Sequence, residues 1–112
     1  LLLAKKYWPG ALSLIVDWKD KRPGDVGIRV SASPIVRQIT SAFGKPITST
    51  SANISEQPDP YSGRQVAKNF SNKSLQPDIL IDTGRLPKRK SSTIVRVKNG
   101  TIEILRQGEI KI

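Results

Sequence analysis

The sequence predicts a mixed α/β domain over its 112 residues. Two kinds of segment alternate along the chain: short apolar runs rich in β-branched residues, and segments whose apolar residues recur every three to four positions. Near the end, two alternating runs flank Asn99-Gly100, the strongest short-range signal for a β-hairpin. These patterns predict about five strands and two or three helices.

Four elements are predicted in the first half of the chain. Pro9-Gly10 ends the first of them, because Pro cannot continue a helix. Ser33-Pro34 predicts the start of a later helix, since Ser can cap free backbone donors and Pro is tolerated in the first turn. Gly44 is placed to end that helix in a left-handed conformation. In order, the elements are a helix over 1–8, strands over 11–18 and 26–30, and a helix over 34–43.

The second half is predicted to hold four strands and one helix. Ser62 is a candidate N-cap for the helix, which carries Val66, Ala67 and Phe70 on one face. The Gly and Pro between 83 and 90 favour an irregular loop. The predicted strands cover 46–51, 78–82, 93–98 and 101–106.

Charge and composition exclude several function classes. The chain has 19 Lys and Arg against 9 Asp and Glu, a net charge of +10, which favours anionic partners. It has no Cys and no His, which excludes thiolate nucleophiles, imidazole bases and zinc sites of ordinary composition. No apolar run approaches the ~20 residues of a membrane span. We expect a cytoplasmic protein.

Two polar segments are candidates for binding an anion. The basic cluster Arg85, Lys88, Arg89 and Lys90 is either a solvated loop or a contact for phosphate or RNA. The segment 48–55 has five hydroxyls and one amide, and is either a donor-rich loop at a strand end or a turn that satisfies its own backbone. No GxxxxGK[ST] motif is present, so a P-loop is excluded.

Five sequence blocks between Trp8 and Gly108 carry a family resemblance: WPGAL, IRVxxSP, GKPITSTSANIS, SSTIVRVxNG and ILRQG. Their order resembles the YrdC-type threonylcarbamoyl-AMP synthase family, which begins the synthesis of the threonylcarbamoyl modification of adenosine in tRNA. The resemblance implies an α/β fold with a twisted mixed sheet, flanking helices and a basic concave face.

The resemblance also implies an activity. Enzymes of this family are nucleotidyltransferases that convert L-threonine, bicarbonate and ATP into threonylcarbamoyl-AMP and pyrophosphate. It implies Mg²⁺ with the ATP as cofactor, and tRNA or other double-stranded RNA as a possible partner. No protein nucleophile is needed if bicarbonate and the carbamate supply the attacking atoms, which agrees with the absence of Cys and His.

Site residues follow from the positions that match the family's motifs. Arg29 matches an Arg implied to hold the threonine carboxylate, for which a guanidinium offers a planar fork. Arg106 matches a phosphate or adenylate contact. The remaining assignments are Ser49 and Ser92 to L-threonine, and Ser51 and Asn53 to ATP, with Asn53 also a possible Mg²⁺ ligand.

The sequence departs from the family pattern in four respects, one of which is Ala11 in the WPGP block. The resemblance covers the C-terminal part of the family's domain, without its first strand and its K-x-R pair, so we expect 1–112 to be a partial domain that is inactive by itself. Glu56 replaces a usual Gly and puts an acid beside an anion site. Arg96 replaces a usual Asp and is expected to add helpful positive charge.

Two alternatives to the synthase stay open. One is the related YrdC-like domain of hydrogenase-maturation carbamoyltransferases, although nothing in the chain resembles their acylphosphatase or zinc-finger modules. The other is a non-catalytic RNA-binding module that uses the positive charge.

Overall fold

The structure, a computed structural model, describes residues 2–17 and 24–112. Its elements are α1 (Leu2–Tyr7), β1 (Leu12–Asp17), β2 (Asp25–Ile28), α2 (Pro34–Phe43), α3 (Gly63–Phe70), β3 (Thr93–Lys98) and β4 (Thr101–Arg106). The predicted mixed α/β class is confirmed. The chain divides into one compact unit of 1–46 with 89–112 and a second of 47–88. A single partial domain over 1–112 stays a prediction.

The four strands form one mixed sheet in the order β2-β1-β3-β4. The central strands β1 and β3 are parallel, and β2 and β4 flank them in antiparallel orientation. Register places Leu14 beside both Ile28 and Val95. Because side chains alternate along a strand, one face of the sheet is apolar, and the other, which we call the polar face, carries most of the polar side chains together with Ile15 and Ile94.

The hydrophobic core lies on the apolar face. Leu12, Leu14 and Val95 are fully buried there, and each contributes about 1.5–3 kcal/mol through burial. Residues of α1 and its C-terminal end, including Tyr7 and Trp8, pack against them. The indole N–H of Trp8 donates to the carbonyl of Leu12 at 2.8 Å. Helix α1 therefore covers part of the apolar face and leaves the polar face to other contacts.

The predictions of the hairpin turn, of the end of α2 and of the N-cap of α3 are confirmed. Asn99 and Gly100 have φ of 50° and 77°, as the tight turn between β3 and β4 requires. Gly44 has φ of 69°, and its N–H donates to Thr40 at the end of α2. Ser62 caps α3 by accepting from the N–H of Gln65 at 3.3 Å.

The predicted start of α2 at Ser33-Pro34 is confirmed, but the predicted capping bond of Ser33 is absent. Ser33 occupies the N-cap position, but its side chain makes no capping hydrogen bond. Its backbone N–H donates instead to the hydroxyl of Ser31 at 3.2 Å. Pro34 begins the helix without a backbone N–H, so the first turn has one fewer donor to satisfy.

Two predicted strands, over 46–51 and 78–82, do not form. Both segments have β-branched residues, but a strand also needs a neighbouring backbone, and no described residue pairs with either segment. Ile47 is 45% exposed and Ile79 is 80% exposed. The predicted strand end at Trp18 and most of the charged turn over 19–25 lie outside the described residues.

The segment after residue 78 is ordered by contacts with the start of α3. Gly63 is buried against the side chain of Asp82, and any side chain at 63 would overlap it. Asp82 also accepts from the N–H of Gly84 at 2.9 Å, and the N–H of Leu86 donates to Tyr61 at 2.7 Å. In the described part of the chain, no helix is long and apolar enough to cross a membrane.

Candidate functional site on the polar face of the sheet

Four polar residues lie at one end of the polar face, next to Ile94, which pairs with Ser13 on one side and with Arg106 on the other. The hydroxyl of Ser13, on β1, lies 3.3 Å from the hydroxyl of Ser92, directly before β3. Arg106, at the end of β4, donates from Nη2 to the same Ser92 hydroxyl at 3.3 Å. Arg29 follows β2 on the other side. We call Arg29, Ser13, Ser92 and Arg106 the polar row.

Strand register places Arg29 at its end of the polar row. The last residues paired between β1 and β2 are Leu14 and Ile28, so the next position along β2 lies beside Ser13. The segments that contain β1 and β2 remain hydrogen-bonded beyond Leu14 and Ile28, because the N–H of Gly10 donates to the carbonyl of Val30 at 2.9 Å. Arg29 is exposed, and its guanidinium makes no ion pair with any residue the structure describes.

The predicted site residues Ser92 and Arg106 come together because the backbone after β4 folds against the start of β3. Arg106 donates from Nε and Nη2 to the carbonyl of Ser92, at 3.0 and 2.8 Å. Gly108 approaches the backbone of Ser91 so closely that any side chain at 108 would overlap it. The sequence blocks around STIV and LRxG therefore form one structural unit.

The side chain of Thr93 stabilises the contact between β3 and the segment after β4. It is fully buried, and its hydroxyl donates to the carbonyl of Ile110. The same oxygen accepts from the N–H groups of Gly108 and Ile110, at 3.0 and 3.1 Å. One side chain thus satisfies three backbone groups, which holds Arg106 at a fixed place relative to Ser92.

Part of the Arg106 guanidinium remains available to a ligand. The bonds to Ser92 use Nε and Nη2, whereas Nη1 makes no hydrogen bond to the described residues. A guanidinium carries five N–H donors, so it can be anchored on one side and bind an anion on the other.

An ion network occupies the other end of the polar face. Arg96 pairs with Asp25 at 3.3 Å and with Glu103 at 3.0 Å, and Lys98 pairs with Asp17 at 3.8 Å. The Asp25 contact lacks hydrogen-bond geometry and is a charge pair only. The expectation that Arg96 adds free positive charge is therefore wrong, because two carboxylates compensate it. The unpaired cations Arg29 and Arg106 are at the polar row.

The predicted residues of segment 48–55 lie in the second compact unit. Ser49 and Ser51 are exposed in irregular backbone and donate no side-chain hydrogen bond to described residues. The amide nitrogen of Asn53 donates to the carbonyl of Gln57 at 2.7 Å. The predicted donor-rich loop at a strand end is wrong in one respect, because the strand over 46–51 does not form.

Asn53 instead holds a turn. The N–H of Gln57 donates to Ile54 at 2.9 Å, and Glu56, third in this turn, has φ of 68°. That position of a type II turn requires positive φ and favours glycine. The Gly that the family pattern has at position 56 thus has a conformational reason.

The donor set for a divalent ion is small. Among residues 2–17 and 24–112, no group of three or more Asp, Glu, His or Cys could hold a metal. Asn53 uses its amide nitrogen in the turn, and its Oδ1 makes no hydrogen bond to a described residue. These residues fit an ion held mainly by nucleotide phosphates, with an amide or hydroxyl oxygen as an additional ligand.

Ser13 and Thr93 are the site residues that sequence analysis missed. Each had a signal: a hydroxyl residue within a run that is otherwise apolar, LSLIV and TIV. The short distance between Ser13 and Ser92 could not be predicted, since 79 positions separate them in sequence.

Comparisons with known proteins agree with the fold. The family model for Sua5, YciO and YrdC, described as "Telomere recombination", matches residues 1–108. A threonylcarbamoyl-AMP synthase of Psychromonas ingrahamii is 45% identical over 82 residues, which cover 67% of this chain and 43% of that protein. The threonylcarbamoyl-AMP synthase of Pyrococcus abyssi is 30% identical, over 99% of this chain and 34% of that protein.

A solved structure is similar as well. The crystal structure of P. abyssi Sua5 complexed with L-threonine superposes with a TM-score of 0.79 at 31% identity, over 96% of this chain and 33% of that one. The chain thus spans between a third and a half of the length of these relatives.

Proposed function

The chain belongs to the Sua5, YciO and YrdC family, and from this we propose that it forms part of the active site of a threonylcarbamoyl-AMP synthase. In the reaction, the amine of L-threonine and bicarbonate give a carbamate and water. A carbamate oxygen then attacks the α-phosphorus of ATP, and pyrophosphate leaves. The relatives described above bear the synthase name, which favours this function over the carbamoyltransferase alternative.

The observation that carries the proposal is the polar row. Arg29 and Arg106 flank two hydroxyls on a surface whose other cations are paired. Such a row suits a small zwitterion with a carboxylate and a hydroxyl, next to a polyphosphate. The similarity to a protein crystallised with L-threonine supports the same assignment.

Three residues are proposed to bind L-threonine: Arg29, Ser92 and Ser49. Arg29 holds the carboxylate with two parallel N–H groups, for which a guanidinium is suited. Ser92 donates to the threonine hydroxyl, whereas the assignment of Ser49 to L-threonine stays a prediction from its motif position. Orientation of the amine toward the carbon it attacks is the catalytic contribution, since it replaces a bimolecular encounter by a fixed geometry.

The other three residues, Arg106, Ser51 and Asn53, are proposed to bind the nucleotide. Arg106 keeps its permanent charge near the departing pyrophosphate, where negative charge develops. Its anchor on the Ser92 carbonyl links the nucleotide contact to the threonine contact. The assignment of Ser51 and Asn53 to ATP stays a prediction from their motif positions. Mg²⁺ bound to the phosphates would neutralise part of their charge, with Asn53 Oδ1 as the proposed protein ligand.

Pyrophosphate release by the protein as its gene encodes it tests this function. We expect release to depend on both L-threonine and bicarbonate. Arg29→Ala should raise the KM for L-threonine by more than 10-fold, as loss of a charge-assisted contact of about 1.5–3 kcal/mol predicts. Arg64→Ala is the matched control, because Arg64 is exposed on α3. Unchanged threonine dependence in Arg29→Ala would contradict the assignment of the carboxylate.

The basic loop supports a second proposal, contact with tRNA or other double-stranded RNA. Arg85, Lys88, Arg89 and Lys90 are all exposed and form no ion pair with described residues. Lys88 lies 5.8 Å from the ring centre of Tyr61. Cations that follow one another so closely in sequence suit a phosphate backbone. A cytoplasmic location belongs to the same proposal, since ATP, threonine and tRNA occur together there.

A further inference from the structure

We propose that Ser13 is a positioning residue of the threonine site: its hydroxyl sets the direction in which the Ser92 hydroxyl donates. This inference rests on the proposed function, and it adds a residue that the family resemblance does not assign. It starts from the 3.3 Å contact between the two hydroxyl oxygens.

The backbone holds Ser13 in a fixed position. It lies on β1, which has a paired strand on each side. Its neighbours Leu12 and Leu14 are fully buried on the opposite face. Ser13 itself is half-buried, so its hydroxyl is next to Ser92 without being sealed from a ligand. A side chain supported in this way can hold a hydrogen-bond partner in one orientation.

Hydrogen-bond accounting at Ser92 gives Ser13 its role. A hydroxyl has one proton and two lone pairs. Arg106 Nη2 occupies one lone pair of the Ser92 oxygen. If Ser13 donates to the second lone pair, the Ser92 oxygen is saturated as an acceptor and its proton is left for a ligand. Without Ser13, the second lone pair is open and the proton direction is no longer fixed.

The acceptor that suits this proton is the hydroxyl oxygen of L-threonine. Among the described residues, the Ser13 hydroxyl has no partner other than Ser92; either oxygen could donate in this contact, and donation by Ser13 is the direction that leaves the Ser92 proton to a ligand. The predicted contribution is that of one neutral hydrogen bond, which corresponds to about 3- to 10-fold in affinity.

Calorimetric titration with L-threonine and, separately, with ATP tests the inference on the full gene product. We expect Ser13→Ala to weaken L-threonine binding by about 3- to 10-fold and to leave ATP binding unchanged. Ser13→Thr keeps a hydroxyl and should restore threonine affinity to within about 3-fold of the original. Ser91→Ala is the matched control, because Ser91 precedes Ser92 in sequence and its hydroxyl has no hydrogen-bond partner among the described residues.

The outcomes separate this inference from the proposed function. If the unaltered protein does not bind L-threonine, the proposed function fails, and the role of Ser13 fails with it. If it binds L-threonine and Ser13→Ala binds equally well, the role of Ser13 alone is overturned. Equal weakening of L-threonine and ATP binding would also overturn it, because that result indicates a general structural role.

Discussion

At the residue scale, the structure distinguishes side chains that form the site from side chains that shape its backbone. Arg106 does both, since it fixes the Ser92 carbonyl and keeps Nη1 for a ligand. Asn53 was predicted to bind ATP, yet its amide nitrogen holds a turn. Arg96 was expected to contribute positive charge, but its guanidinium forms ion pairs with two carboxylates. Residue type alone does not decide among these uses.

Glu56 gives a prediction at this scale. Its φ of 68° costs a residue with a Cβ about 1–2 kcal/mol in the folded state. Gly removes that cost, but it gives the unfolded chain more conformational entropy, which lowers the free energy of unfolding by about 0.4–1 kcal/mol. Glu56→Gly should therefore raise the free energy of unfolding by about 0.5–1 kcal/mol in urea titration.

Ser55→Gly provides the matched control in the same turn. Ser55 does not have a positive φ, so this change should lower stability by about 0.4–1 kcal/mol. Destabilisation by both substitutions would show that strain at position 56 does not determine the stability of the turn.

At the element scale, the elements predicted correctly are those whose signals are local. The turn at Asn99-Gly100 and the end of α2 at Gly44 each depend on backbone conformations that few residues adopt. The strands predicted over 46–51 and 78–82 depended on neighbours, and sequence pattern does not say which backbone lies beside them. The same limit applies to the site: Ser92 and Arg106 were predicted singly, whereas their contact and the role of Ser13 follow from strand pairing.

Thr93 provides the element-scale prediction, because it joins β3 to the segment after β4. Thr93→Val has nearly the same shape but leaves the N–H groups of Gly108 and Ile110 without their acceptor. We expect a loss of about 3 kcal/mol in the free energy of unfolding, measured in urea. Thr93→Ser retains the hydroxyl and should cost about 1 kcal/mol for the lost methyl group. Equal losses in the two variants would contradict the role of the hydroxyl.

At the scale of the whole molecule, the net charge of +10 has two separate consequences. On the polar face, carboxylates compensate Arg96 and Lys98, and two arginines stay unpaired at the polar row. In the basic loop, four cations stay exposed. The first arrangement suits a small anionic ligand, and the second suits an extended polyanion.

The basic loop gives a prediction about salt dependence. Binding of double-stranded RNA should weaken as salt rises, because cations on the protein release counterions from the phosphates. Replacing Arg85, Lys88, Arg89 and Lys90 by Gln should make the slope of log K against log salt shallower by about 3–4. Arg64→Gln serves as the control. An unchanged slope in the fourfold variant would place the RNA contact elsewhere.

The polar row is proposed to belong to a site that couples L-threonine, bicarbonate and ATP. Mass spectrometry of the nucleotide product formed with ¹³C-bicarbonate tests this coupling. We expect threonylcarbamoyl-AMP that carries the ¹³C label and disappears in Arg29→Ala at low threonine. An unlabelled threonyl adenylate, or AMP formed without bicarbonate, would contradict it.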